Sequence, residues 1–247
     1  MRQEMCVEFF HVKFFCMYMY AEVLDRAACT CMQKFLIVLN FYMSNFSACT
    51  YIRSGVGCMS SSSKILEYLA LMGKLKTLKR EGWVKRGVNM PESDSDHMHR
   101  VALIAMLIPV EANVDRDKCI RMGLVHDVCE CIAGDITPVC GVSKEAKHAL
   151  ERSAMNEIFR VLGGGTVAAE LLNLWEEYEA GVTPESIYVK DIDKFEMIVQ
   201  ADEYEQVQPG LNLEEFFNST REYFKTDFFR NLDSQLRKRR SARRNNV

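Results

Sequence analysis

The sequence lacks the marks of several protein classes. Its 247 residues include ten cysteines but no C-x-x-C pair, the usual spacing of a structural zinc site. No run of about 18 apolar residues occurs, so we expect no membrane-spanning helix. Gly163–Gly165 is not followed by the Gly-Lys-Ser/Thr of a phosphate loop. The scattered cysteines are typical of a reduced, intracellular protein, and we expect a cytoplasmic one.

The chain divides by composition into three parts. Residues 1–60 are rich in Cys, Met, Phe and Tyr, and we expect an extension without a fold of its own. A targeting or regulatory segment is the alternative. Residues 61–235 form the expected main domain. Residues 236–247 are basic and predict a solvated, disordered tail, with a nuclear address or a phosphate-binding tail as the alternative.

The main domain carries helical periodicity and no clear strand signal or repeat. Turn residues such as Gly82, Pro109, Gly134 and Gly181 separate the periodic segments. The predicted helices run from Ser63 to about Arg80, about Ser93 to Ile108, Lys118 to Ile132, Ser143 to Leu162, Val167 to Ala180, Pro184 to Tyr204, and Leu213 to about Arg240. Long helices joined by short loops predict an all-α bundle.

His126 and Asp127 stand where a core helix should present apolar residues, directly after Met122-Gly-Leu-Val. A lone His-Asp pair is usually a core-edge histidine beside a surface aspartate. Here Glu130 follows one turn later and Asp135 follows the Gly134 break. Buried carboxylates are costly unless they are paired or bind a metal. So much acid in one place therefore indicates a cation site.

Two further residues have the same character on neighbouring helices. His97 lies one turn into its predicted helix beside an apolar stripe, whereas His99 faces another direction. Asp193 shares an inward face with Met197, whereas we expect Asp191 to face solvent. Two imidazoles and two carboxylates without a thiolate suit Mn, Co, Fe, Ni or Mg better than closed structural zinc. The bundle should therefore enclose a central metal site.

The order His…His-Asp…Asp on successive helices resembles the HD-domain phosphohydrolases, and most closely their 5'-deoxynucleotidase group. The likeness spans about Ile65 to the end of the helix that starts at Leu213. The string His-Asp-x-x-Glu-x-x-x-Gly-Asp is its most specific part. The motifs that carry it are Gly82-Trp-Val, Pro91-Glu-Ser, Asp96-His-Met, Leu124-Val-His-Asp, Glu130 to Pro138, Trp175-Glu-Glu-Tyr-Glu, Val189-Lys and Gln200-Ala-Asp-Glu-Tyr-Glu.

This resemblance implies a metal-dependent hydrolysis of deoxynucleoside 5'-monophosphates to deoxynucleosides and phosphate. It implies a first divalent cation (Mn, Co or Mg) held by His97, His126, Asp127 and Asp193. Glu130 and Asp135 are implied to hold or activate the attacking water, or to bind a second cation. It also implies a homodimer. We expect neither a nucleic acid polymer nor a membrane as partner.

The resemblance also implies substrate contacts. Ile136 and Thr137 would line the nucleotide site, and Trp83 would pack near the sugar and disfavour a ribose 2'-hydroxyl. In the bacterial branch an arginine directly precedes that tryptophan and orients the phosphate, but Gly82 stands there in this chain. Other basic residues are therefore candidates for that charge, namely Arg80, Lys85 and Arg86. Lys190 is either a phosphate contact or a surface lysine.

Two alternatives to this function remain open. The first is an HD phosphohydrolase that acts on another nucleotide, either cyclic or polyphosphorylated. The second is a metal-binding protein that does not catalyse a reaction, which the missing arginine keeps open and the presence of Glu130 disfavours.

Overall fold

The computed structural model describes residues 61–137 and 140–244, so the expectation for residues 1–60 lies outside the described residues. Within these ranges the regular elements are helices, apart from one isolated bridge between Lys79 and Ser93. The predicted all-α fold is confirmed. The helices are α1 (Ser61–Leu75), α2 (Glu81–Val84), α3 (Asp94–Ala105), α4 (Arg116–Val125), α5 (Glu130–Ala133), α6 (Lys144–Val161), α7 (Gly165–Ala180), α8 (Pro184–Val207), α9 (Glu214–Ser219) and α10 (Asp227–Arg244), with a 3-10 turn at Val110–Ala112.

Helices α3, α4 and α8 pack against one another at the centre of the bundle. Gly123 allows a close approach, because a Cβ atom there would lie 3.1 Å from Val101 Cγ1 and 3.3 Å from the Ala102 nitrogen. Val101, Met122 and Ile192 are fully buried at this contact between helices. The close packing brings the predicted metal ligands of three helices to one place.

A capping box fixes the start of α3. The Ser93 hydroxyl accepts from the backbone N–H of Asp96, and the Asp96 carboxylate accepts from the Ser93 backbone N–H at 2.8 Å. This reciprocal pair satisfies two helix N–H groups that would otherwise lack acceptors. It also sets His97 one turn inside α3, as the sequence predicted.

The chain near His126 differs from the predicted continuous helix. Helix α4 ends at Val125, and α5 begins only at Glu130. Tight backbone hydrogen bonds join the two, from Val128 to Val125 and from Glu130 to Asp127. The prediction of one helix from Lys118 to Ile132 is therefore wrong. The turn lets His126 and Asp127 face the same centre, which a straight helix would separate by about 100°.

Other predicted boundaries also differ. Helix α1 stops at Leu75 rather than near Arg80, and the short α2 lies inside the expected loop. The C-terminal helix is divided into α9 and α10. Asp191, expected in solvent, is buried and accepts hydrogen bonds from the backbone N–H groups of Lys225 and Thr226 at the start of α10.

The basic residues expected in a disordered tail lie in α10 as far as Arg244. Arg240 is buried and donates to both carboxylate oxygens of Glu205, at 2.7 and 2.8 Å, and to Glu214 at 2.8 Å. Arg243 pairs with Asp202. These ion pairs hold the basic helix against the acidic C-terminal half of α8. In the described part of the chain no helix combines the length and the apolar character needed to cross a membrane.

Candidate metal centre

Four predicted ligands converge at the centre of the bundle. His97, His126 and Asp193 are buried, and each offers a ligand atom within 4.8 Å of the others. His97 Nε2 lies 3.4 Å from Asp193 Oδ1. Asp127 Oδ2 lies 3.3 Å from His126 Nε2 and 3.8 Å from His97 Nε2. Residues far apart in the sequence thus form one compact group of two imidazoles and two carboxylates.

Both histidine rings are held by their Nδ1 atoms. His97 Nδ1 contacts Glu196 Oε2 at 2.5 Å, and His126 Nδ1 lies 2.8 Å from the Gly123 carbonyl oxygen. The Nε2 atoms of both rings are buried and have no hydrogen-bond partner among the described residues. A ring that donates from Nδ1 presents the Nε2 lone pair as a ligand. The residues therefore fit a divalent cation.

Asp193 is oriented from two sides. The Tyr178 hydroxyl donates to Asp193 Oδ2 at 2.9 Å, and Lys194 Nζ donates to the same oxygen at 2.8 Å. The other oxygen faces His97. Burial opposes ionisation of Asp193, but the charges of Lys194 and His97 outweigh it and hold its pKa well below the ordinary value.

A second acidic group lies beside the first, around Arg80. Nη1 of Arg80 donates to Asp127 Oδ2 at 3.1 Å and lies 3.8 Å from both Asp94 and Glu130 and 3.9 Å from Asp135. Burial opposes the charged guanidinium, but these carboxylates hold the pKa of Arg80 well above its ordinary value. Arg80 is thus the basic residue that reaches the acidic centre.

Gly134 brings Asp135 into this group. Its φ of +77° is in the region that favours glycine, and it reverses the chain directly after α5. The backbone N–H of Glu81, the first residue of α2, then donates to Asp135 Oδ2 at 2.7 Å. Gly134, which the sequence predicted to end a helix, therefore places Asp135 at the centre.

Burial and neighbouring charges shift the pKa values of the ionisable groups in different directions. Burial opposes the ionised form of Asp127, but His126 and Arg80 keep its pKa well below the ordinary value. Burial and Arg80 act against protonation of His97, but Glu196 and Asp193 raise its pKa to about 9. Burial, reinforced by Asp127 and Asp135, holds the pKa of Glu130 well above its ordinary value. Glu130 therefore retains a proton more readily than its neighbour Asp127 does.

The centre opens into a cavity of about 540 Å³. Five substrate residues named from the sequence line it, namely Arg80, Trp83, Ile136, Thr137 and Lys190. The Trp83 indole N–H donates to Glu92 at 2.8 Å, and the ring packs on Phe216 with centroids 4.4 Å apart. Lys190 Nζ lies 4.1 Å above the Tyr178 ring.

The other two candidate cations have partners of their own. Arg86 forms a two-pronged ion pair with Glu215 at the edge of the cavity. Lys85 pairs with Glu81 at 3.3 Å.

Glu196 and Asp94, two further acidic residues of the site, were not predicted from the sequence. Glu196 follows Asp193 by three residues, and Asp94 precedes His97 by three, so each shares a helix face with a predicted ligand. That spacing is the signal that would have found them.

The family model described as "HD domain" matches residues 72–232. This chain belongs to the HD-domain family. The match covers the helices that carry all four predicted ligands, and it confirms the resemblance read from the sequence.

Several relatives of this HD-domain chain are named 5'-deoxynucleotidases. It is 45% identical over 185 residues to the 5'-deoxynucleotidase HDDC2 of Dictyostelium discoideum, covering 70% of this chain and 97% of that protein. It is 43% identical over 202 residues to the 5'-deoxynucleotidase HDDC2 of Homo sapiens, covering 81% and 95%. The solved structure of HD domain-containing protein YGK1 matches with a TM-score of 0.56 and 35% identity, covering 72% of this chain and 86% of that one.

Proposed function

We propose that this protein is a metal-dependent 5'-deoxynucleotidase, which hydrolyses deoxynucleoside 5'-monophosphates to deoxynucleosides and phosphate. The observation that carries the proposal is the compact group of His97, His126, Asp127 and Asp193, in which the two buried Nε2 atoms have no hydrogen-bond partner in the described chain. The relatives named 5'-deoxynucleotidase support the substrate class.

In this proposal His97, His126, Asp127 and Asp193 hold the first divalent cation, which is Mn, Co or Mg. A divalent cation supplies two things when bound: it acidifies coordinated water and neutralises the charge on phosphate oxygens. Glu196 and the Gly123 carbonyl hold the two histidine rings in the ligating orientation. Tyr178 and Lys194 do the same for Asp193.

Glu130 is the proposed general base. It is buried beside Asp127, and its high pKa means that a proton, once accepted, is retained. A base must reach the proton that it removes through a hydrogen bond or one water molecule. Asp135, held by the Glu81 N–H, either assists in placing the attacking water or shares a second cation with Glu130.

The proposed substrate contacts follow the cavity. Arg80 binds the phosphate, with Lys190 as a second positively charged residue in the same cavity, and Trp83 packs against the deoxyribose. Ile136 and Thr137 line the nucleotide. The cavity volume of about 540 Å³ is within the range of about 300–1,000 Å³ that is usual for small-molecule pockets.

We also propose a cytoplasmic homodimer. Support for association comes from large apolar side chains that are exposed on α1 and along α3 and the segment that follows it: Ile65, Leu66, Leu69, Leu103, Met106 and Leu107. Exposed apolar side chains on these two segments are candidates for protein–protein contacts.

The test is phosphate release from deoxynucleoside and ribonucleoside 5'-monophosphates by the chelator-treated protein, before and after addition of Mn, Co or Mg. We expect metal-restored release that favours the deoxy substrates. Asp127→Ala should lose both the cation and the activity, whereas the control Asp117→Ala, on an exposed turn of α4, should keep both. A protein that retains its cation but releases no phosphate from any monophosphate would refute the nucleotidase. Cyclic and polyphosphorylated nucleotides would then be assayed, and inactivity on these would indicate a non-catalytic metal-binding protein.

A further inference from the structure

Asp94 is a buried carboxylate for which the proposed function gives no role. It is the first residue of α3, and its side chain has no exposed surface. Neither of its oxygens has a hydrogen-bond partner among the described residues. The nearest cation is Arg80, whose Nη1 lies 3.8 Å away and is hydrogen-bonded to Asp127 instead. An ionised carboxylate in this position is costly unless a cation compensates it.

Asp94 does not stand alone. Asp94, Glu130 and Asp135 each offer an oxygen within 4.8 Å of the others. Glu130 Oε2 is likewise buried without a hydrogen-bond partner in the described chain. One guanidinium faces these three carboxylates and Asp127 as well, so four carboxyl groups share a single arginine.

The backbone fixes the direction of Asp94. Its N–H donates to the Leu78 carbonyl at 3.0 Å, and the Ser93–Asp96 capping box holds the turn on the other side. Asp94 lies three residues before His97, so the two side chains leave α3 on one face. The carboxylate is thereby directed beside the first cation position rather than away from it.

Asp127 joins the two groups. Its Oδ2 atom lies 3.1 Å from Arg80 Nη1 on one side and 3.3 Å from His126 Nε2 on the other. An oxygen shared in this way places the carboxylates of Asp94, Glu130 and Asp135 next to the histidine site. Two-metal phosphatases use neighbouring sites of this kind.

We propose that Asp94 is the third carboxylate ligand of a second divalent cation, held together with Glu130 and Asp135. This inference rests on the proposed function and decides one alternative left open in it. Three carboxylates without an imidazole favour a hard cation such as Mg or Mn, whereas the two histidines of the first position also accept Co or Ni. Cation and Arg80 compete for the same oxygens, so cation binding frees the guanidinium for a substrate phosphate.

The experiment counts cations in the full-length protein after chelator treatment. Mn²⁺ is titrated in, and the free ion is followed by electron paramagnetic resonance. We expect the wild type and the control Asp117→Asn to bind two Mn²⁺ per chain. Asp94→Asn should bind the first normally and the second at least about tenfold more weakly, a loss in the range known for disturbed metal sites. Asp94→Ser should behave in the same way.

Three results would overturn the proposal. One Mn²⁺ per wild-type chain would remove the second position but leave the proposed function standing. Two Mn²⁺ of unchanged affinity in both Asp94 variants would remove Asp94 as a ligand. No Mn²⁺ in any protein would refute the proposed function together with this inference.

The thermal stability of the cation-free variants gives an independent reading. Asp94→Asn should melt at the same temperature as the wild type or higher, because it removes an uncompensated buried charge. A role as a mere counter-ion of Arg80 would instead lower the melting temperature and leave the Mn²⁺ count unchanged.

Discussion

Glu196 Oε2 contacts Nδ1 of His97 at 2.5 Å and thereby directs the opposite ring nitrogen, Nε2, towards Asp193 at 3.4 Å. The second oxygen of Glu196 accepts from Arg100 Nε at 2.8 Å, so the carboxylate is itself held. A carboxylate that orients a metal-ligating histidine also makes the ring a stronger ligand. In the proposed metal centre Glu196 is therefore a positioning residue.

The first prediction is that Glu196→Gln weakens binding of the first cation by about 10- to 100-fold. The reason is that the neutral amide orients His97 less strongly and leaves the ring a weaker ligand. Affinity is measured by competition with a chelator of known strength. Glu203→Gln is the matched control, because Glu203 binds the same Arg100 at 2.8 Å and is not a partner of His97. Equal affinities of the two variants would exclude the positioning role.

The second prediction concerns pH. Burial and Arg80 disfavour the protonated ring, but Glu196 and Asp193 raise the pKa of His97 to about 9. Below that pH the ring carries a proton that a cation must displace, so affinity should fall as pH falls, by up to about tenfold per pH unit. Calorimetry in buffers of different ionisation enthalpy should show proton release at pH 7. Affinity that is constant between pH 7 and 9 would contradict this.

The raised pKa of His97 has the opposite pH dependence for folding of the cation-free protein. A raised pKa stabilises the fold at pH values below the unfolded pKa of His97, and that contribution is lost as pH rises through about 9. Acid should therefore weaken cation binding while this histidine still stabilises the fold.

The third prediction separates Glu130 from the ligands of the first cation. Glu130→Gln should keep the cation bound by His97, His126, Asp127 and Asp193 but lose turnover, by about 10²- to 10⁴-fold. The amide cannot accept the proton of the attacking water. Elemental analysis and phosphate release measured on the same sample test both halves. Wild-type turnover would remove Glu130 from the mechanism.

The fourth prediction tests the helix contact that assembles the centre. Gly123→Ala should destabilise the protein by about 1–3 kcal/mol, because the added methyl group meets Val101 and the Ala102 backbone. Gly73→Ala in α1 meets nothing within 4 Å. This control should stabilise the protein by about 0.5–1 kcal/mol through helix propensity. Urea unfolding of the chelator-treated proteins measures both, and equal effects would contradict the close approach.

The fifth prediction concerns the C-terminal helix. Arg240→Ala should destabilise the protein by about 3 kcal/mol, because it leaves Glu205 partly buried without its two-pronged partner. Lys238→Ala, on the exposed face of α10, should change stability by less than about 0.5 kcal/mol. Urea unfolding again provides the measurement. A negligible effect of Arg240→Ala would favour the solvated tail that the basic sequence suggested.

The site residues that the sequence singled out are chemically conspicuous. His97, His126, Asp127 and Asp193 are metal-ligand types in apolar surroundings, and the cost of burying charge made them stand out before any geometry was known. Glu130 and Asp135 were identified because several acidic residues lie close together in this part of the sequence. The helical periodicity was strong enough to give the all-α class and most helix starts, where caps such as Ser93 and Thr183 are local signals.

Other features depend on tertiary contacts that periodicity does not carry. The spacing of Val125 and Glu130 fits one continuous helix equally well, so the sequence does not reveal the break between α4 and α5. The break arises because His126 and Asp127 both face the centre of the bundle. The structure of α10 depends on Glu205 and Glu214 as partners of Arg240, and a basic run alone resembles a solvated tail. Asp191 looked exposed because its partners, the N–H groups that open α10, lie more than 30 residues later.

Both tryptophans of the chain, Trp83 and Trp175, line the one cavity that contains the metal centre. Each is almost completely buried, so its emission is governed by the cavity walls and contents rather than by bulk solvent. The protein thus contains its own optical reporter. Quenching by bound Co²⁺ or by a stacked nucleobase can be followed without a label, and the single variants Trp83→Phe and Trp175→Phe assign the signal to one tryptophan or the other.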